Sequence, residues 1–526
     1  MVRRRYVILL IVTELLLITL VIISSSLIHN YVVTVVGVGV LLTLGFLYMA
    51  FLMKGVRGVR LNLTYVAATL HMYCIATGEA GPKDLVGVVA DTMQYGFLSS
   101  VFRRVRLLAE RFGYGFTNAT ALVAQSTKPP LRDFLMRCTE AFSSKRPKDY
   151  LEIEVTTAME EYSGMFTRAL ESMRLMGGIF ITFQSATVFI IMTLAILTML
   201  LTDASVVYVA YGISILSLIT LFIGFRSITP KEPFFYKGAE PPRTYKVFIF
   251  ALALSPLFIV PSLAVYIVAG PALAFTVLGV GMLIPGIFAY RLESSVGRIE
   301  SYYPTFIKAV SEHLISVTDL KSVFSYVLYM ELGPLRGLVN RALNRLRLNI
   351  GAEEVIDLFS SETGSYIIFI SNRVFLDAFR RGGDLAEVGK KLSNFVVKVL
   401  ELRKTRLSTA KSFEIMTVIM QPLIVTMLIL MTSLLKFFSA TLVNLPFFTF
   451  GEVPISFIEL GNVVNVIILT VLNALAVGSA RGGFWGTILM YSGVLMILSA
   501  GSWFLTERLI TPYISEMFGT VQWIPT

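Results

Sequence analysis

The residues able to support chemistry are few and scattered. Cradling ATP phosphates takes a glycine-rich loop that closes on Lys and then Ser or Thr, and the nearest approach, Gly81-Pro82-Lys83, lacks that spacing. A metal centre takes His, Cys or carboxylate ligands at short fixed intervals, but the 3 His and 2 Cys do not cluster. No Gly-x-Ser-x-Gly elbow or Cys–His signature stands out for nucleophilic catalysis. Catalysis is therefore not expected, and neither is a metal or other cofactor. Charge is more informative. Arg103, Arg104, Arg106 and Arg111 fall on one predicted helix, Arg341, Arg345 and Arg347 on another, and Arg380 and Arg381 at the end of a third. Such clusters steer an acidic partner protein and fix its register. They equally suit a solvated face beside anionic lipid. Aromatic residues do not interleave with them as a single-strand platform requires, so nucleic acid is not an expected partner. Three polar residues, Glu14, Gln184 and Gln421, lie inside long apolar runs, where burial in lipid is costly and polar groups are candidates for function. The two glutamines could instead bridge helices across a pseudo-two-fold axis.

The chain that positions these residues has 526 residues, 55% hydrophobic and 15% charged, with a net charge of +11. Soluble domains carry about one quarter charged residues, so the composition points to the bilayer. A hydrocarbon core of roughly 30 Å takes about 20 apolar residues in helical form. Nine stretches meet or approach that length: Tyr6–Leu27, Tyr31–Met53, Gly178–Leu201, Val206–Phe225, Val247–Ala269, Ala272–Tyr290, Phe413–Leu435, Phe457–Val477 and Trp485–Leu505. The first follows Arg3-Arg4-Arg5 and runs past Ile22, too far for a cleaved signal, so a retained signal-anchor is expected. With the N-terminus inside, every Lys and Arg except Lys436 and Arg508 falls on the cytoplasmic side, and the C-terminus lies outside. Domains follow as 1–53 (two spans), 54–177 (cytoplasmic), 178–289 (four spans), 290–412 (cytoplasmic) and 413–526 (three spans and an external C-terminus). Cys74 and Cys138 then sit in the cytoplasm as reduced thiols.

Both polar segments have apolar residues at three- and four-residue spacing and are predicted to be helical bundles. In the first, helices are predicted over Leu61–Ala76, Leu85–Met93, Phe97–Phe112, Thr117–Gln125 and Leu131–Ser143, with a last helix from about Asp149 running into the third span. In the second, Tyr303–Val317, Leu320–Met330, Leu335–Leu348, Glu353–Leu358 and Tyr366–Phe379 repeat that order, and a helix from Asp384 leads into the seventh span. Asp149-x-x-Glu152 and Asp384-x-x-Glu387 have the form of capping boxes. At a separation of 237, Gly96 matches Gly333, Leu98 matches Leu335, Ala141 matches Ala378, Phe142 matches Phe379, Arg174 matches Lys411 and Gln184 matches Gln421. The fold expected is all-α, with about nine spans and two duplicated cytoplasmic bundles. Pro256, Pro261, Pro285 and Pro422 fall within spans and are expected to kink them.

The segment Ala378-Phe379-Arg380-Arg381-Gly382-Gly383-Asp384-Leu385, continued by Lys390-Lys391 and Arg403-Lys404-x-Arg406, resembles the end of a type II secretion F domain. Gly113-Tyr114-Gly115-Phe116-Thr117-Asn118-Ala119 resembles the glycine that precedes the next helix in that family. The hydropathy order of nearly the whole chain is similar to the archaeal platform proteins of pili and the archaellum. Pro129-Pro130 and Ser143-Ser144-Lys145-Arg146-Pro147 stand in the first half where the second has Arg380-Arg381-Gly382-Gly383, a departure that bears on its partner surface. The resemblance implies a non-enzymatic plasma-membrane scaffold. It would bind a hexameric secretion ATPase through the arginine clusters, act on pilin-like subunits, and be compatible with a homodimer. Glu14 would then either attract a pilin's charged N-terminus or bond a neighbouring span. The competing function is a secondary transporter built from repeated halves around proline-broken spans. A sensory receptor is a third reading, with no output motif in its favour.

Overall fold

The structure, a computed structural model, describes residues 62–78, 80–201, 205–317, 319–442 and 454–513. The predicted spans Tyr6–Leu27 and Tyr31–Met53, with Glu14, lie outside the described residues, as does the chain beyond residue 513. Among the described residues the protein is all-helical; Phe235 and Ser365 form an isolated bridge, and no strand is present.

The first bundle is α1 (Leu63–Ala76), α2 (Pro82–Asp91), a 3-10 turn (Met93–Tyr95), α3 (Phe97–Glu110), α4 (Phe116–Gln125) and α5 (Leu131–Ser143). It ends in α6 (Pro147–Leu201), 55 residues long. Then α7 (Ser205–Ile228) returns through the membrane, and α8 (Arg243–Leu254) and α9 (Ile259–Ala269) form the next span. The second bundle begins inside α10 (Pro271–Ser316) and continues as α11 (Leu320–Val327), a 3-10 turn (Gly333–Leu335), α12 (Arg336–Arg347), α13 (Ala352–Thr363) and α14 (Tyr366–Arg380). The 58-residue α15 (Leu385–Leu442) leads back to the membrane, followed by α16 (Ile455–Arg481) and α17 (Thr487–Leu505), which a π-helical turn (Thr506–Ile510) extends toward the end of the described chain. Each bundle thus places a short helix, a 3-10 turn and three helices before its long helix. Gly96, just after the first 3-10 turn, and Gly333, the first residue of the second, both have positive φ (58° and 48°), a conformation that favours glycine.

Among the described residues seven helices are long and apolar enough to cross a membrane. They correspond one to one with the seven predicted spans that fall on described residues. Two details differ from the sequence reading. Ala272–Tyr290 and Tyr303–Val317 are not separate helices but parts of α10, because Arg291, Glu293, Arg298 and Glu300 continue the helix after its apolar run ends. Of the four prolines expected to kink spans, only Pro256 interrupts a helix, in the 3-10 turn Ser255–Phe258; Pro261 lies within α9, and Pro285 and Pro422 lie within α10 and α15.

Close packing of the spans rests on small residues, as expected where lipid supplies no hydrophobic drive between helices. A Cβ added at Gly286 would meet the Met490 backbone nitrogen at 2.2 Å, and one at Gly493 would meet the Leu283 nitrogen at 2.7 Å. These glycines let α10 and α17 approach backbone to backbone. One contiguous buried cluster runs from the first bundle along α6 and α15 into the second bundle.

Candidate functional site

The two long helices lie side by side and run parallel, and their first two turns exchange charges. Lys148 Nζ donates to Glu387 at 2.6 Å, and Lys391 Nζ donates to Glu152 at 2.8 Å, both across a separation of 239 residues. Pro147 starts α6 with φ already helical and no amide to leave unpaired. Asp149 is therefore in the first turn rather than at the cap, where its charge still suits the helix dipole. On α15 the Glu387 amide donates to Asp384 at 3.2 Å, as a cap requires. The Glu387 carboxylate does not close the capping box; it accepts from Tyr73 of α1 and from Lys148. Further along, Gly177 leaves room for the Phe413 ring, which also packs edge-on to Phe180 at 5.9 Å.

The seam between the bundles is polar. Arg381 pairs with Asp84 at 2.6 Å, the Asp384 amide donates to Thr77, and a Cβ at Gly78 would meet the Arg381 carbonyl at 2.9 Å. His71, fully buried on α1, has Nδ1 3.0 Å from the Tyr95 hydroxyl and Nε2 3.2 Å from an Asp377 oxygen across the seam. Burial pushes the His71 pKa down, so the ring is neutral at pH 7. Burial also pushes the Tyr95 hydroxyl up, which keeps its proton available to the imidazole.

The candidate docking arginines divide by environment. Arg103 donates to the Ala90 carbonyl at the end of α2, and Arg106 pairs with Asp91. Arg341 and Arg345 both hold Glu362, and Arg345 also reaches Glu240. Arg380 pairs with Glu353, lowering that carboxyl's pKa, and Arg381 crosses the seam. Arg104, Arg111 and Arg347 are exposed and make no ion pair with any described residue. Most of these candidate arginines therefore order the bundles themselves.

Within the membrane the two glutamines do not meet directly. Gln184 of α6 donates to the Asn473 oxygen, and Asn473 of α16 donates to Gln421 of α15. Gln421 in turn donates to Thr470 at 2.6 Å and Ser499 at 3.0 Å. A second link joins Tyr211 of α7, Asn462 of α16 and Thr432 of α15. The signal missed in the sequence was the polar set Asn462, Asn465 and Asn473, all buried, within one predicted span.

A buried ionic cluster where the second bundle meets the membrane was also missed. Arg403 of α15 holds both oxygens of Glu300 on α10 at 3.0 Å and lies 3.7 Å from Glu232 in the 229–242 loop. That loop is sewn to the bundle: Tyr236 N donates to the Gly364 carbonyl, Tyr366 N donates to the Phe234 carbonyl, and Tyr236 stacks on Phe369 at 3.8 Å. Arg406, one turn along, donates to the Ala480 and Ser479 carbonyls at 2.8 Å, satisfying the open end of α16. Arg481 spans Glu414 of α15 and Glu293 of α10, and Glu293 accepts from the Phe484 amide at 2.8 Å. Among the described residues no group of His, Cys, Asp and Glu is arranged to hold a metal ion.

Helical bundles carried on two long helices that continue into a set of apolar spans define an all-helical, multi-pass membrane protein. The chain is similar to proteins called Flagella accessory protein J from two archaea. It is 23% identical over 376 residues to the one from Methanocaldococcus jannaschii, covering 65% of each chain. It is 23% identical over 368 residues to the one from Methanococcus voltae, covering 65% of this chain and 66% of that one. The match spans just under two thirds of the length of these curated relatives. The resemblance to the archaellum-type members of the type II secretion F-domain family is shown by these relatives. No family model and no solved structure matches the chain.

Proposed function

We propose that this protein is a plasma-membrane platform for assembly of an archaellum or related pilus-like filament. Its N-terminus and both bundles lie in the cytoplasm, in domains 54–177 and 290–412, and its C-terminus lies outside. It is not an enzyme: a cytoplasmic secretion ATPase docks on the bundles, and the platform turns its motion into extraction of pilin-like subunits from the bilayer. The matching helix order and the paired glycines Gly96 and Gly333 support a duplicated origin for the bundles. The observation that carries the reading is the continuity of α6 and α15 from bundle into membrane, with their starts locked by Lys148–Glu387 and Lys391–Glu152. A displaced bundle must move its span, because no hinge intervenes. Arg104, Arg111 and Arg347 are the docking arginines that no described residue pairs; Glu14 remains a candidate contact for the pilin N-terminus. A transporter is not favoured: Gln184, Asn473 and Gln421 bond one another, and the cavity beside Asn462 is only about 10 Å³.

The test is crosslinking of the protein in native membranes at low salt, followed by affinity capture and mass spectrometry. Recovery of a Walker-type ATPase and a pilin-like protein is the expected result. Consistent recovery without the ATPase, under several crosslinkers, would remove the platform reading.

A further inference from the structure

The two bundles present the same small device at the turn after their third helices. In the first the sequence is Arg111-Phe112-Gly113-Tyr114-Gly115, and in the second Arg347-Leu348-Asn349-Ile350-Gly351. Each begins with an exposed arginine that makes no ion pair with a described residue. Each continues with a large apolar side chain turned to solvent, Phe112 at 65% and Leu348 at 75% exposure. The next residue is left-handed in both, Gly113 at φ 73° and Asn349 at φ 61°, and Asn349 is the one non-glycine residue with positive φ among those described. The fifth residue, Gly115 or Gly351, caps the following helix. The left-handed residue reverses the chain at once, so the arginine and its apolar neighbour are held at the apex.

Ordinary surface logic does not call for this pairing. The other candidate arginines except Arg104 are held by carboxylates or carbonyls within the fold, and an exposed Phe or Leu beside an unpaired guanidinium is the composition of an interface anchor with a charged rim. Its occurrence at equivalent places in both bundles adds a constraint on the partner. Two like contacts on one chain are best met by two like surfaces on the other side.

We infer that these turns are twin docking fingers for one homo-oligomeric protein, each finger inserting Phe112 or Leu348 into an apolar pocket beside a carboxylate that takes Arg111 or Arg347. Two subunits of that oligomer are engaged at once. The inference rests on the platform reading for the identity of the partner, which is the secretion ATPase.

The test measures binding of the purified ATPase to the full chain in nanodiscs. The variants are Arg111→Glu, Arg347→Glu and their double, with Phe112→Ser and Leu348→Ser as a second set that leaves charge unchanged. Losing one of two tethered contacts should weaken apparent affinity by roughly 100-fold for either finger, and the double variant should not bind measurably. Wild-type affinity in all variants, or a loss confined to one finger, would overturn the twin-finger inference. Unchanged ATPase binding together with weaker binding to vesicles rich in anionic lipid would also overturn it, assigning the arginines to the membrane. Absence of ATPase binding by the unaltered chain would instead remove the platform reading.

Discussion

Replacing Arg403 by Met separates two accounts of the ionic cluster at the base of the second bundle. The Glu300 side chain is 2% exposed and that of Glu232 5%, while Arg403 itself is 12% exposed. With Arg403 gone, Glu300 keeps only the Ser365 hydroxyl at 2.5 Å, and Glu232, which already has one buried oxygen without a hydrogen bond, loses its ion-pair partner and is left with the field of Arg406. Breaking a buried pair from one side costs about 3–5 kcal/mol, because it strands a charge. At about 2.1 cal/mol/K of unfolding entropy per residue, a 526-residue chain shifts by roughly 1 °C per kcal/mol, so the melting shift is about 3–5 °C. Replacing all three by Met, Leu and Leu removes the stranded charges, and such exchanges are neutral or stabilising by about 1–4 kcal/mol. Arg403→Met and the triple variant are to be melted side by side in the same detergent. A drop of that size for the single change with recovery in the triple is expected. If the triple variant melts as low as the single one, the cluster contributes net stability and the desolvation reasoning fails. If the triple recovers its melting point but no longer supports filament assembly in cells, the charges serve register between bundle and spans rather than stability.

Three further outcomes follow from the same contacts. Because burial holds the His71 pKa below its ordinary value of 6.5, only the unfolded chain takes up that proton between the two values; stability is full above about pH 6.5 and falls as pH drops below it, by up to about 1.4 kcal/mol per pH unit. Asp377, Arg373, Arg381 and Tyr95 face the ring, and His71→Asn should flatten the dependence of melting temperature on pH between 7 and 5.5. Asn473→Leu removes the bridge between Gln184 and Gln421 and should cost about 1–2 kcal/mol in a melt of the detergent-solubilised protein, with an unchanged melting point contradicting its bridging role. Gly286→Ala places a methyl group against the Met490 backbone; a cost of about 1–3 kcal/mol is expected, and a neutral result would mean α10 and α17 can separate freely.

Much of the helix order was legible because each bundle keeps apolar residues at helical spacing between Gly, Pro and Asn breaks. The start at Phe97, the end at Gln125 and both ends of Leu131–Ser143 stand where the sequence placed them. The continuity of α10 was not legible, since a fall in hydropathy marks where lipid ends and not where a helix ends. The ionic cluster was hidden for a different reason. Glu232, Glu293, Glu300, Arg403, Arg406 and Arg481 stand singly or in ordinary-looking charged stretches, and only the fold makes them neighbours. The arginine clusters were visible as charge, but which guanidiniums the fold consumes depends on carboxylates as distant as Glu240 from Arg345 or Asp84 from Arg381. The repeated turns at Gly113 and Asn349 could have been read from Arg-apolar-x-apolar-Gly alone; the mixed Gly and Asn at the left-handed position masked the match.

The most direct test of the rigid lever is a flexible insertion within it. Four glycines placed after Ser408 would break the continuity of α15 between the second bundle and its span while leaving the Arg403–Glu300 ion pair and the hydrogen bonds of Arg406 to the end of α16 in place. Cells lacking the native gene and carrying this variant, at matched protein levels in the membrane, would be imaged for surface filaments by electron microscopy. Filaments restored by the unaltered protein and absent with the insertion are expected; filaments formed equally well with the insertion would contradict transmission through a continuous α15.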